Sequence, residues 1–498
     1  MLPYDVLLHL LAFSDTRQLL YLSLVNREFN SAASKLLYSN VTLSPHFSSQ
    51  EHDSNGLPSC PSQFISALSP TYATLVRELR VGGFLSKAEP PRNKLYSVLQ
   101  EALTLFTNVQ SVTFLPKCWP DNLFREPLNL LQSCRSLKRL AVNASCFDDE
   151  LASALAISPA DNPSSLSSIA EDDGEDDRED LPAPLSKAEI LGRTTGLTTL
   201  TLSNPTRKIL QVLIPYWLSS LSDMLLELHL LHNCGSITPG VLSSALPHLQ
   251  SLRALSIGLS YSLTDHDIFT SLAQLPCLQT LALNYYPQNT SPPRFPALLA
   301  LKSFTAHYPR PETRKDSDRL VKWVRKAIRH SPIEILSLVE DFPPLEHRPG
   351  PNPNFDGLID HLVSIHAKRL RILDLRSCFV GHRALERLCL SCEKLDSVRV
   401  AGGREILPTF IESASNMSSL HSVSFRIRKF KVFDEVIDDE LVAKIMKSSP
   451  MLRVIVLNNQ RWEGSWSHTE DGDIQLVVNL DKGYLRTNDD SMFHEKEL

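Results

Sequence analysis

The stretch LLELHLLHNCGSITPGVL, residues 225–242, decides the fold. It opens with apolar residues at positions one, four and six, Leu225, Leu228 and Leu230, and the last two share a face only if the backbone is extended. A polar pair, Asn233 and Cys234, follows, then Thr238 and Pro239, which suit a helix N-cap and first helical position. Beyond them Val241, Leu242, Ala245 and Leu246 share one helical face. The unit therefore reads strand, turn, helix. Neither element can bury its apolar face alone, so such a unit requires neighbours of its own kind.

The neighbours are present. The same phrase, L-x-x-L-x-L, recurs as LRALSIGLS at 252–260, LQTLALNYY at 278–286 and LRILDLRSC at 370–378. Weaker copies start at Val76, Val109, Leu137, Leu197, Leu301, Ile333, Leu395, Leu420 and Leu452, which makes thirteen in all. Successive starts lie 23 to 37 residues apart, except for a 60-residue step from Leu137 to Leu197. Helical signals fill the gaps: TDHDIFTSLAQLP has Thr264 as cap with Ile268, Phe269 and Leu272 inward, and DDELVAKIMKSSP precedes the copy at 452. A period in this range signals a solenoid. The expectation is an α/β chain with a curved parallel sheet and helices on its convex side.

These residues resemble the leucine-rich repeats, in particular the cysteine-containing type, over roughly 75–460. Asn233 and Cys234 stand at that family's polar ladder position, and Cys378 ends its phrase where the family expects a cysteine.

The long step contains EDDGEDDRED, residues 171–180, with eight acids and one arginine. The whole chain carries −6, so the remainder nets +1 and no basic bias calls for nucleic acid. Ser- and Pro-rich flanks predict a disordered, solvated insert over 158–187 rather than an acidic binding arm. Nine cysteines, of which only Cys389 and Cys392 are closely spaced, read as reduced thiols. No apolar run reaches the ~18 residues of a membrane span, and MLPYDVLLHLLAF lacks a signal-peptide pattern. The chain is expected to be soluble and intracellular, cytoplasmic or nuclear, without a membrane partner.

Near the N-terminus the pattern changes. In LLYLSLVNREF, residues 19–29, the apolar side chains point all around a helix axis at about 100° per residue. Pro3 suits a first helical turn, Val6, Leu7, Leu10 and Leu11 form a wide apolar face, and Asp15 with Gln18 forms a capping box for a second helix. A third helix spans Asn26 to Leu37 and includes Phe29. Residues 2–43 thereby resemble an F-box of the fungal type. About forty residues sit at the size where self-burial is insufficient. The resemblance implies that the Skp adaptor of cullin-RING ubiquitin ligases covers the surplus, through Leu2, Pro3, Val6, Leu10, Leu20, Leu24 and Val25. Packing of these residues onto the first repeat as an N-terminal cap is the alternative. The expected plan is an F-box at 1–45, a linker or first cap at 46–74, repeats at 75–480 with the insert, and a flexible tail at 481–498.

Catalytic motifs are absent: the chain has no phosphate-cradling G-x-x-x-x-G-K-S/T, G-x-G-x-x-G, G-x-S-x-G or H-E-x-x-H. Cys389 and Cys392 have zinc spacing but lack two further ligands, so repeat packing is expected there. His229 and His307 read as solvent-facing strand residues. No enzyme activity, cofactor or metal is expected. Positions five and seven of each phrase face away from the leucines. In the middle copies these are Thr201, Ser203, His229, Leu231, Ser256, Gly258, Ala282 and Asn284, and in later copies Asp374, Arg376, Arg399 and Arg426, with Arg428 and Lys429 beyond. Either the later set receives an acidic or phosphorylated client segment, or it is an ordinary solvated strand surface. The reading of the whole is an SCF-type substrate receptor for an unknown client. The alternative is a repeat scaffold uncoupled from ubiquitination.

Overall fold

The computed structural model describes residues 2–43, 62–82, 92–115, 129–132, 134–144, 187–288, 295–341, 354–427, 439–458, 460–468 and 474–481. In it every one of the thirteen phrases opens a parallel strand two residues after its first apolar position. The chain divides into two compact units, residues 1–251 and 252–498.

The first unit begins with three helices, α1 (Tyr4–Leu11), α2 (Thr16–Leu22) and α3 (Arg27–Ser39). Six strands follow: β1 (Asn40–Leu43), β2 (Glu78–Val81), β3 (Ser111–Phe114), β4 (Arg139–Asn143), β5 (Thr199–Ser203) and β6 (Glu227–Asn233). They pair in chain order, all parallel. The register aligns Val41, Leu79, Val112, Leu140, Leu200 and Leu228 across the sheet. All six are buried. At roughly 1.5–3 kcal/mol for each buried aliphatic side chain, this ladder and the parallel ones at positions one and six hold the unit together. Trp217 adds an anchor, buried with its Nε1 donating to the Thr194 carbonyl at 2.8 Å.

Strand β1 lies within the span expected to be only helical, and it shifts the start of the sheet from 75 back to Asn40. It fits the phrase after all, as Tyr38-Ser-Asn-Val41-Thr-Leu43, with an aromatic residue at position one. The Tyr38 ring stacks on Tyr72 at 4.2 Å between centroids. The expected linker is partly helical too, at Ser62–Ala67 and Pro70–Ala73, and Phe64 is fully buried. The acidic run and the rest of the expected insert lie outside the described residues up to 186, while Lys187 begins a short helix, Lys187–Leu191.

In the second unit eight parallel strands run in order: β7 (Ala254–Leu259), β8 (Thr280–Asn284), β9 (Ser303–Tyr308), β10 (Ile335–Glu340), β11 (Ile372–Phe379), β12 (Ser397–Gly402), β13 (Ser422–Ile427) and β14 (Val454–Leu457). Their leucine positions are again buried. Helices return the chain between strands, with Thr238 in the first unit and Thr264 in the second capping as expected, each hydroxyl accepting from the third helical residue. The architecture is α/β, and each unit is a stack of leucine-rich-repeat-like strand and helix pairs.

After β14 the repeat stops. β15 (Gln460–His468) turns back antiparallel on β14, and β16 (Ile474–Leu480) pairs antiparallel with β15. Trp462, opposite Ile455, is 2% exposed. This hairpin covers the edge that β14 would otherwise present. Residues 482–498, most of the expected tail, lie outside the described residues.

Two histidines lie deep in the second unit, on or beside the helix Asp356–Ile365. His361 and His366 are buried, each Nε2 lacks a hydrogen-bond partner among the described residues, and their ring centroids are 5.7 Å apart. Burial pushes both down to about 4, helped by Arg325, His366 and Arg329 around His361 and by Arg369 beside His366. Both rings are neutral in the folded protein at pH 7. In the unfolded chain they take up protons near pH 6.5, so stability is unaffected above that value and falls as the pH drops from about 6.5 towards 4. Replacing both with Leu should flatten the decline of the melting temperature between pH 7 and 4.5. A decline as steep as in the parent would show that other groups cause it.

Candidate interaction surfaces

The three helices make a small core of their own. Asp15 Oδ1 accepts from the Gln18 backbone at 2.7 Å and Gln18 Oε1 accepts from the Asp15 backbone at 3.2 Å, which closes the capping box of α2. Asn26 caps α3 by accepting from the Phe29 backbone at 3.0 Å. Pro3 sits at the cap of α1, one position ahead of the expected first turn, and its carbonyl accepts from Leu7. These caps set the helices so that Leu7, Leu11, Leu19, Ala32, Ala33 and Leu37 are buried together, with Leu8, Leu22 and Phe29 packed at the margin.

The other side of the helices stays uncovered. Leu2, Val6, Leu10, Leu20, Leu24 and Val25 are 43–81% exposed, and Pro3 is exposed as well. Three further residues join them that sequence reasoning did not name: Tyr4, Phe13 at 79% and Tyr21 at 61%. Their spacing carried the signal, since Val6, Leu10 and Phe13 continue one helical stripe and Tyr21 stands four before Val25. Nine of the 21 large apolar side chains exposed among the described residues therefore fall within residues 2–25. Scattered single exposures need no explanation, but a concentration of this kind marks an interaction surface. Arg17 and Lys35 lie over the rings of Tyr21 and Tyr4, at 5.9 and 5.8 Å from the centroids, and place cations at its rim.

Of the sheet positions read from the sequence, Thr201, Leu231, Ser256, Ala282 and Asn284 are partly exposed and Ser203 is buried, and two further points stand out. His229 is 5% exposed rather than solvent-facing. Its Nε2 lies 3.9 Å from Glu227 Oε2 on the same face of β6. Glu227 is held below the usual carboxylate range first by His229, then by the Thr199 hydroxyl, which donates at 3.1 Å, and by the charge of Arg139, against the opposing effect of burial. His307 is partly exposed, with Nδ1 3.7 Å from Asp341.

The second point concerns the later positions. Asp374 and Arg399 are directly opposite in register, Asp374 is buried, and Arg399 Nη1 lies 3.4 Å from Asp374 Oδ2. That pair neutralises itself, so the basic character rests on Arg426, which is exposed on β13 opposite Ala401. Arg376 is on β11, but its side chain, like Arg428 and Lys429, lies outside the described residues.

Cys389 and Cys392 are fully buried, and burial pushes their thiols up to about 12 and 11. Both stay protonated at neutral pH, as packed side chains between repeats do. Cys234 and Cys378 are buried too: the Cys234 Sγ lies 3.3 Å from the Leu230 carbonyl, and that of Cys378 lies 3.2 Å from the Tyr308 hydroxyl. No helix among the described residues is long and apolar enough to cross a membrane.

No protein-family model matches the chain, and no curated protein matches it. Among solved structures it is similar to a chain of the Rad7 and Elc1 complex in yeast, at 13% identity and a TM-score of 0.36, covering 95% of this chain and 89% of that one. It is also similar to the leucine-rich repeat-containing protein LegL7 from Legionella pneumophila, at 12% identity and a TM-score of 0.29, covering 88% and 92%.

Proposed function

We propose that this chain is the substrate-recognition subunit of an SCF-type ubiquitin ligase, with α1–α3 acting as an F-box that binds a Skp-type adaptor and, through it, a cullin. One observation carries the reading: the helices complete their own core and still leave Leu2, Pro3, Val6, Leu10, Leu20, Leu24 and Val25 uncovered. These are the residues through which the F-box resemblance implies adaptor contact. Burying the six Leu and Val side chains among them is worth on the order of 10 kcal/mol before the costs of association. In this reading the repeats hold a client protein, and the chain contributes proximity to the ubiquitin-charged enzyme while making no bond itself.

The test is composition. The chain purified from its host should bring a Skp-type adaptor and a cullin with it, and should lose both when Pro3→Glu is introduced. If neither accompanies the parent chain, what remains is a repeat scaffold uncoupled from ubiquitination.

For the client, the later sheet positions suggest an acidic or phosphorylated segment meeting Arg426 on β13, with Arg376 on β11 and Arg399 on β12 as the further positions to test. Changing Arg376, Arg399 and Arg426 together to Glu is expected to release clients from the purified complex while the adaptor stays bound. Quantitative mass spectrometry of the complex reads this, and full client retention would remove the arginines from the proposal.

A further inference from the structure

In the second unit the helix Arg314–Ile328 returns the chain from β9 to β10. Its inner face is buried through Leu320, Val321, Trp323, Val324 and Ile328, and Trp323 Nε1 donates to Asp265 Oδ1 at 3.0 Å. The outer face carries essentially one sign of charge. Residues 314–329 hold seven basic and two acidic side chains. At 100° per residue, Lys315, Arg319, Lys322, Lys326 and Arg329 fall within about 80° of arc opposite the buried side, and at 1.5 Å per residue they make a stripe about 21 Å long. Arg329 is the C-cap and keeps helical backbone angles, so the stripe runs through it. Four of the five are exposed, and Lys326 is half-buried in the field of Asp265.

Little offsets these charges. Asp316 is committed to the helix cap, its Oδ2 accepting from the Thr313 backbone at 3.1 Å and from the Thr313 hydroxyl at 2.7 Å, while its Oδ1 lies 3.8 Å from Arg319. Lys315, Lys322 and Arg329 have no ion-pair partner among the described residues. Like charges three and four residues apart repel and weaken a helix. The stripe therefore works against the helix that carries it, and an anion laid along it relieves that repulsion.

The neighbouring helices limit the shape of such an anion. The one joined through Asp265, Asp265–Leu272, has two Asp and no Lys or Arg, and so has Asp356–Ile365, packed on the other side. The positive strip is thus one helix wide, about 8–10 Å. A nucleic-acid duplex laid on it would press phosphates over carboxylates. Among the described residues no large apolar side chain is exposed between Leu299 and Ile365, so a membrane surface finds no apolar anchor and a single nucleic-acid strand no ring to stack on. An extended peptide fits better: its alternate side chains lie about 6.6–6.8 Å apart, close to the roughly 5–6 Å between successive stripe positions.

We propose that this face receives an extended acidic segment of a partner protein, about six residues long, with Asp or Glu at alternate positions meeting Lys315, Arg319, Lys322, Lys326 and Arg329. The surface is separate from the sheet positions around Arg426, and it stands whether or not α1–α3 hold an adaptor.

The probe is a fluorescein-labelled peptide of four Glu-Ser pairs, and its control has Gln in place of every Glu. Both are titrated into the full chain at low salt and followed by fluorescence anisotropy. The Glu peptide should bind saturably and the Gln peptide should not. Changing Lys315, Lys322 and Arg329 together to Gln should weaken binding about tenfold or more, and Lys322→Glu alone, an exposed substitution that leaves the core intact, about threefold or more. Changing Lys368, Arg383 and Lys394 to Gln removes as much charge from exposed positions of the same unit and should leave the affinity within about twofold. No saturable binding, an equal response to the Gln peptide, or an equal loss in both triple variants would overturn the assignment. An oligonucleotide or phosphatidylserine vesicles that bind more tightly than the peptide, and are weakened by the same three stripe substitutions, would overturn it in favour of that polyanion.

Discussion

Leu24→Asp combined with Val25→Asp is expected to weaken binding to a purified Skp-type adaptor at least about a hundredfold, and to leave the melting temperature within about 2 °C. Both side chains are exposed, at 81% and 60%, so the folded chain alone loses no packing and an exposed substitution costs within about 0.5 kcal/mol. Once an adaptor covers them, two carboxylates without partners would be desolvated, and that penalty exceeds the roughly 2.7 kcal/mol a hundredfold loss represents. The control lies on α2, just ahead of the turn that carries them. Leu19 is 7% exposed in the three-helix core, and Leu19→Ala should cost about 2–5 kcal/mol of stability before any effect on binding. Titration calorimetry with the adaptor, paired with thermal melts, separates the two effects. Unchanged adaptor affinity in the Asp pair would disprove the F-box reading of α1–α3.

Trp462→Ala should act by the opposite route, on stability alone. The indole is nearly fully buried opposite Ile455, and truncating such a side chain costs about 3–5 kcal/mol. For a unit of this size that lowers the melting temperature by roughly 6–20 °C. A loosened hairpin also uncovers β14, whose free edge invites pairing with other molecules. Light scattering during the melt should therefore rise earlier than in the parent. Trp466, on the same strand but 42% exposed, supplies the comparison, since Trp466→Ala should move the midpoint by no more than about 2 °C. Equal effects from the two tryptophans would show that the hairpin does not protect the sheet.

The regular part of this architecture was readable because one short phrase determines burial. Leu, Val or Ile at position one, then apolar residues at four and six, place every strand between Val76 and Leu457. The departures lie where that phrase is disguised or ends. In β1 position one is Tyr38, which belongs to the last turn of α3, so the helical pattern masked the strand. In the hairpin, RWEGSWSH and IQLVVNL alternate with period two around Asp471-Gly472, a strand and turn signal unlike the repeat. The uncovered face of α1 and α2 was legible for aliphatic residues and incomplete for Tyr4, Phe13 and Tyr21, because aromatic residues so placed suit a core equally well. Pairing across strands was not legible. Asp374 meets Arg399 only through the register of β11 on β12, and Asp265 meets Trp323 across 58 residues.

Helix α3 ends at Ser39 and β1 starts at Asn40, with no intervening residue. A docking platform fused to a sheet in this way behaves as a bracket rather than a tether. Whatever seats on the outer side of α1 and α2 is held at a set angle to the strands of the first unit, and cargo gripped within that unit is offset by whole multiples of the strand spacing, about 4.8 Å. Adding or deleting one repeat there would move such cargo by a discrete step, where lengthening a flexible leash would only blur its position.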